Sequence, residues 1–232
     1  MKRFLALCMI FLLLLAGCSG KKEQEKTYVQ EREGLWVSED GGYVCIFANG
    51  CVLAFDEREL REGMWLMDGG SIAAEFTSGA EKGEQWAYSV KESSVHYEYD
   101  AENGKLLADG KAEYAPAVAE ADFRAAAEHI GIYEDAGNSA WMSQVEMNMG
   151  AGVVSDLWIG LESLLLTHLT QTAEDPDGLQ AEEAAWEQEK EAEIDAVREE
   201  YAGGSIAGLM VASTNSRLTE ERFEALLAQI PE

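Results

Sequence analysis

The chain is short of cations. Its 232 residues hold 17 lysines and arginines against 44 aspartates and glutamates, a formal net charge of −27. That balance excludes nucleic-acid binding, because phosphates would be repelled. It favours a basic partner, or simply solubility. Histidine is scarce too. His96, His129 and His168 are scattered, none has a metal-ligating neighbour four residues on, and no serine or cysteine nucleophile matches one. There is no zinc-type Cys/His cluster, no glycine-rich phosphate loop and no nucleophile elbow. Asp175-Pro176-Asp177-Gly178 hints at a calcium loop, but an EF-hand needs glycine at its sixth position and glutamate at its twelfth, so an acidic turn is the better reading. Carboxylates are many, yet nothing marks a catalytic pair. No catalytic residue, metal or cofactor is expected, and the absences argue against an enzyme.

Long apolar runs are few. Phe4 to Leu15 is one, preceded by Lys2 and Arg3, and it is too short for a comfortable membrane span. It ends in Leu15-Ala16-Gly17-Cys18, which resembles a bacterial lipobox. That resemblance implies lipidation of Cys18 as the mature N-terminus. It also implies a bilayer-anchored protein of the cell envelope, outside the cytoplasmic membrane or in a periplasm. A lipid chain contributes about 0.8 kcal/mol per buried methylene. Residues 1–18 thus read as a lipoprotein signal and 19–33 as a solvated tether.

Residues 34–115 read as β. Short runs recur at Tyr43–Ala48, Cys51–Phe55, Met64–Met67, Ser71–Phe76, Trp86–Lys91 and Val95–Tyr99, with weaker ones near Leu106 and Ala112–Tyr114. Gly-Gly, Asn-Gly and Asp-Gly pairs separate them, the signature of a meander closing into a small barrel or sandwich. Gly34-Leu35-Trp36 resembles the first strand of lipocalin-like barrels, and Gly63-Met64-Trp65 echoes it. Trp36 and Trp65 read as plugs at one barrel end. An exported protein invites a disulfide between Cys45 and Cys51. With Asn49-Gly50 as a two-residue turn, however, strand alternation puts them on opposite faces, so two free, partly buried thiols are expected.

Pro116 ends the sheet, and residues 116–138 read as a linker with a short helix around Phe123, Ala127 and Ile130. Residues 139–232 read as helical. Asn138 or Ser139 can cap a helix whose stripe is Trp141, Val145, Met149, Trp158, Leu161, Leu165 and Leu169. Gly150 and Gly152 each weaken it by about 1 kcal/mol and invite a break. Asp156, Glu162 and His168 make Val153–Leu169 a core helix rather than a membrane span. A longer helix follows, with Leu179, Trp186, Ile194, Val197 and Tyr201 on one face. Gly203-Gly204 stops it, a short helix covers Ile206–Ala212, and Thr219 caps a third. The fold class is therefore α+β: an antiparallel β-meander followed by an α-helical domain, dividing near Pro116 into two separately folding parts.

The C-terminal half resembles the LprI-like family of bacterial envelope proteins, named for a lysozyme inhibitor. The matching residues are Trp186, Glu189-Lys190-Glu191, Gly203-Gly204-Ser205 and Leu218-Thr219-x-x-Arg222 with Leu226, and upstream Gln144, Met147-Asn148 and Asp156. This chain departs from the family in having no cysteine after Cys51 and in carrying Ile159-Gly160 and Ser163 where the family has Leu-Asn and Tyr. The resemblance implies a lipid-anchored binding protein that holds a basic hydrolase such as lysozyme non-covalently. The acids Glu182, Glu183, Glu187, Glu191 and Glu199 are the docking candidates on the long helix. The competing reading is a structural or ligand-sensing lipoprotein whose β-domain binds a small apolar or cell-wall ligand.

Overall fold

The computed structural model describes residues 32–56, 59–68, 70–81, 93–138 and 143–230. Cys18, residues 19–31 of the tether, the Trp86–Lys91 run and Trp141 lie outside them. The chain forms two compact units, Met1–Glu33 and Gly34–Glu232, and the second holds every strand and helix described below.

Eight antiparallel strands follow one another around a closed barrel: β1 (Gly34–Ser38), β2 (Tyr43–Ile46), β3 (Cys51–Phe55), β4 (Glu59–Asp68), β5 (Ser71–Glu81), β6 (Ser93–Asp100), β7 (Lys105–Ala108) and β8 (Ala112–Pro116), with β1 paired to β8. Closure leaves no sheet edge. One face of the strands points inward. Trp36, Val44, Ile46, Val52, Ile72, Phe76, Tyr97 and Leu106 are all buried there. Trp36 meets Tyr99 edge-on at 6.0 Å, and Trp65 donates its indole N–H to the Phe47 carbonyl at 2.8 Å. Trp65 therefore closes the end formed by the β2–β3 hairpin, while Trp36 is core.

That hairpin corrects the cysteine geometry. Cys45 pairs with Leu53 and Ile46 with Val52, leaving Ala48, Asn49 and Gly50 in the loop. Gly50 has φ +90°, which any side chain would resist. The loop is one residue longer than a two-residue turn, so the alternation shifts and both cysteines share the outer face. Both thiols are free. Burial pushes the Cys51 thiol up to about 11 and Cys45 higher still.

Four helices complete the unit: α1 (Glu120–Asn138), α2 (Gln144–Thr172), α3 (Pro176–Glu200) and α4 (Ala207–Leu227). The stretch read as a linker is mostly α1, 19 residues long, because nothing through Glu134-Asp135-Ala136 breaks a helix. It docks on the barrel: the Tyr43 hydroxyl donates to Asp122 at 3.0 Å, and His129 stacks on Phe55. Helix α2 runs 29 residues unbroken through Gly150 and Gly152. Its cap is Ser143, in a capping box with Glu146, not Asn138 or Ser139. Val145 and Met149 are exposed, contrary to the stripe read from sequence; the buried residues are Val154, Leu157, Trp158, Leu161, Leu165 and Leu169. By length and composition α2 could cross a membrane. Here it is a core helix, packed on the barrel, α1 and α4.

The acidic turn at Asp175 starts α3: its carboxylate accepts the Gly178 N–H, and Pro176 occupies the first turn. The chain breaks after α3 at Gly203, with φ +79°. The expected third helix does not exist, and Thr219 caps nothing. Helix α4 runs unbroken through its polar stretch Ser213–Ser216. Ser216 bonds the Ala212 carbonyl, and Asn215 reaches across to Ser155 at 2.7 Å.

One apolar cluster joins the two parts. It runs from Leu35, Cys45, Phe47 and Leu53 of the barrel through Phe123 and Ile130 to Leu157, Leu161, Phe223 and Leu227. The strands β1–β3 are thus buried on both faces, and separate folding of the parts divided at Pro116 is not what such a core favours. A close contact between barrel and helices is at Gly160, where a Cβ would sit 2.5 Å from the Phe47 ring. The missing side chain at this position lets Phe47 of the barrel seat on α2. We predict one unfolding transition, in which Gly160→Ala loses about 1–3 kcal/mol through overpacking. Gly152→Ala, with nothing within 4 Å of the added carbon, gains about 0.5–1 kcal/mol of helix propensity. Thermal denaturation of the two variants checks the pair; equal effects would contradict the contact.

Candidate functional site

The seam of α3 is Leu179, Glu183, Trp186, Lys190, Ile194, Val197 and Tyr201, every third or fourth residue. Two of these, Glu183 and Lys190, are charged and buried. A pattern drawn through the apolar residues alone misses them, although their spacing places them on that face.

Arg222 of α4 answers Glu183, donating from Nε to Oε2 at 2.9 Å, and its Nη1 donates to Glu182 at 2.6 Å. Lys190 donates to Glu187 at 2.7 Å. The Lys190 ammonium lies 4.4 Å from the Trp186 ring centre and the Arg222 guanidinium 5.8 Å, so the indole accepts two cations. Glu162 of α2 completes the node, 5% exposed. Burial, then the nearby Glu183, push its carboxyl up to about 8. Its Oε1, the Arg222 Nη2 and the Thr219 hydroxyl are buried without a hydrogen-bond partner among the described residues.

A second junction lies 57 residues apart in sequence. The Asn148 amide donates to the Ser205 carbonyl at 3.2 Å, and Gly208 packs against it. Asp156, which burial raises, offers its backbone carbonyl to Asn49 of the barrel at 3.4 Å. Met147 is exposed on α2.

The helices between Ser143 and Ile230 carry four cations, and each is spent internally. Lys190 pairs with Glu187, Arg198 with Asp195 and Glu191, Arg217 with Glu193 and Glu221, and Arg222 with Glu182 and Glu183. Glu189, Glu199 and Glu200 are exposed and have no ion pair among the described residues. The outward faces of α3 are therefore predominantly acidic, with Arg198 exposed but paired. Of the five docking candidates, Glu182, Glu187, Glu191 and Glu199 are exposed. Glu183 is not: it is 9% exposed and held by Arg222, so it belongs to the seam.

Residues 135–226 match the family model for lysozyme inhibitor LprI. No curated protein and no solved structure matches the chain. The LprI match ends inside α4, begins near the end of α1 and leaves the barrel outside it. Within it the motif residues form two joints. Trp186, Lys190, Thr219 and Arg222 build the node between α3 and α4, and Asn148 with Gly203, Gly204 and Ser205 ties the α3–α4 turn to α2. These residues thus join the helices to one another, and the exposed acids of α3 lie outside both joints. Among the described residues no group of three or more His, Cys, Asp or Glu could hold a metal ion.

Proposed function

We propose that this is a lipid-anchored cell-envelope protein that binds a basic lysozyme-type hydrolase on the acidic faces of α3 and thereby inhibits it. The observation that carries the reading is the LprI match over a helical region whose own cations are all neutralised internally. Such a surface attracts a cationic protein, and its exposed cations, Arg198 and Arg217, are each paired with acids. Each exposed pair contributes only ~0.2–1 kcal/mol, so binding needs several, and it weakens as salt shortens the screening length. Reversing Glu187, Glu191 and Glu199 together to lysine should cut the association rate with lysozyme by roughly tenfold or more while changing dissociation less. Stopped-flow or sensor kinetics at low salt measures this; an unchanged association rate would move the docking surface elsewhere.

The anchor is Cys18. Cys18→Ser should move the protein from the membrane fraction to the soluble one, and a variant still membrane-bound and processed like the wild type would remove the lipid from the account. The ligand-sensing alternative has less to support it, because the described inward side chains of the barrel are bulky and buried.

A further inference from the structure

The acids of α3 supply long-range attraction, but an acidic surface alone neither holds nor orients a partner. The first turns of α2 carry the element that does. Val145 and Met149 are 66% and 64% exposed, one helical turn apart on the same face. Gly152 extends that stripe, and nothing lies within 4 Å of where its side chain would be. A glycine there costs helix propensity and relieves no close contact, so the stripe ends in bare, open backbone. Between them Asn148 bonds to Ser205, which fixes the α3–α4 turn alongside and brings in Ile206, 40% exposed.

Charge decides the occupant. Glu146 and Asp156 are exposed on the same helix, and α3 ends in Glu199 and Glu200 just before the turn. The nearest α3 cation, Arg198, is tied to Asp195 and Glu191. A second copy of this chain, itself at −27, would bring like charge to the same rim. We propose that the Val145–Met149–Gly152 shelf, with Ile206, is the apolar anchor of the interface, and that it receives an apolar side chain ringed by cations on the basic partner. This rests on the binding reading above. Anchors buried at an interface set the dissociation rate, whereas rim charges set association.

The test uses the soluble mature chain, with lysozyme as probe, at low and high salt. Val145→Gln/Met149→Gln keeps the charge and places polar groups where water already reaches, so folding is preserved and circular dichroism confirms it. Leu66→Gln on β4, also an exposed apolar residue at 71%, is the control. The double variant should dissociate at least tenfold faster with an association rate and salt dependence like the wild type, and Leu66→Gln should leave both rates alone. Wild-type binding with unchanged dissociation of the double variant overturns the shelf and spares the binding reading. Equal acceleration by Leu66→Gln overturns it as well. Failure of the wild type to bind lysozyme better than an unrelated acidic protein overturns both.

Discussion

Arg222→Met should lower the unfolding free energy by about 3–5 kcal/mol, the usual cost of removing one partner of a buried ion pair. Arg222 is 7% exposed and Glu183 9%, and the 2.9 Å bond between them is the main partner of each inside the α3–α4 seam. Without the guanidinium, Glu183 stays in the seam as an unpaired charge beside Glu162, and Glu182 loses its 2.6 Å contact. The substitution keeps the volume and the apolar stem, so a lost charge is read rather than a cavity. A double variant, Glu183→Leu/Arg222→Met, should recover most of the loss, because a well-packed apolar pair often equals a buried ion pair. Chemical denaturation of wild type, Arg222→Met, Glu183→Leu and the double variant gives the coupling. A single variant within about 0.5 kcal/mol of wild type would mean that solvent reaches the node and that the pair is a surface one.

Glu162→Gln should have the opposite sign, and its effect should depend on pH. The folded chain holds the Glu162 carboxyl at about 8, well above its ordinary 4.5, first through burial and then through Glu183. The groups facing it are Glu183, Glu187 and Lys190 from α3 and Arg222 from α4. The folded state therefore keeps a proton that the unfolded state releases. Stability is full below about 4.5, falls as pH rises towards 8, and levels off above it. Glutamine is neutral throughout and removes that slope. The variant should match wild type near pH 4 and exceed it by several kcal/mol, up to about 5, at pH 9, since each tenfold change in proton affinity is worth about 1.4 kcal/mol. Identical slopes in the two chains would show that Glu162 ionises freely in the fold.

Much of the architecture was legible from period and turn chemistry. The meander, its strand runs and its Gly turns pointed to a small barrel or sandwich, and the sheet closes as a barrel. The spacing of Leu179, Trp186, Ile194 and Val197 led to α3, and Gly203 to its end. What was not legible has physical causes. Glu183 and Lys190 were hidden because a charged residue on a buried face is visible only once its partner is known, and Arg222 lies about 40 positions away. A short helix over Ile206–Ala212 and a new one capped by Thr219 were expected; the bond from Asn215 to Ser155, which ties the intervening stretch to another helix, is not visible in sequence. The cysteine faces turned on a single residue of loop length. The shared core was hidden for a similar reason: Gly160 reads as a weak helix residue until Phe47 is seen against it.

The central claim is that the acidic helical surface binds and inhibits a basic hydrolase. The direct measurement is lysozyme activity against titrated soluble mature chain, at low and at high salt, beside an unrelated protein of equal net charge. The account predicts saturable inhibition at low salt that the control does not reproduce, and that weakens as salt rises. Lysozyme activity unchanged at low salt, or lowered equally by the control, would contradict it.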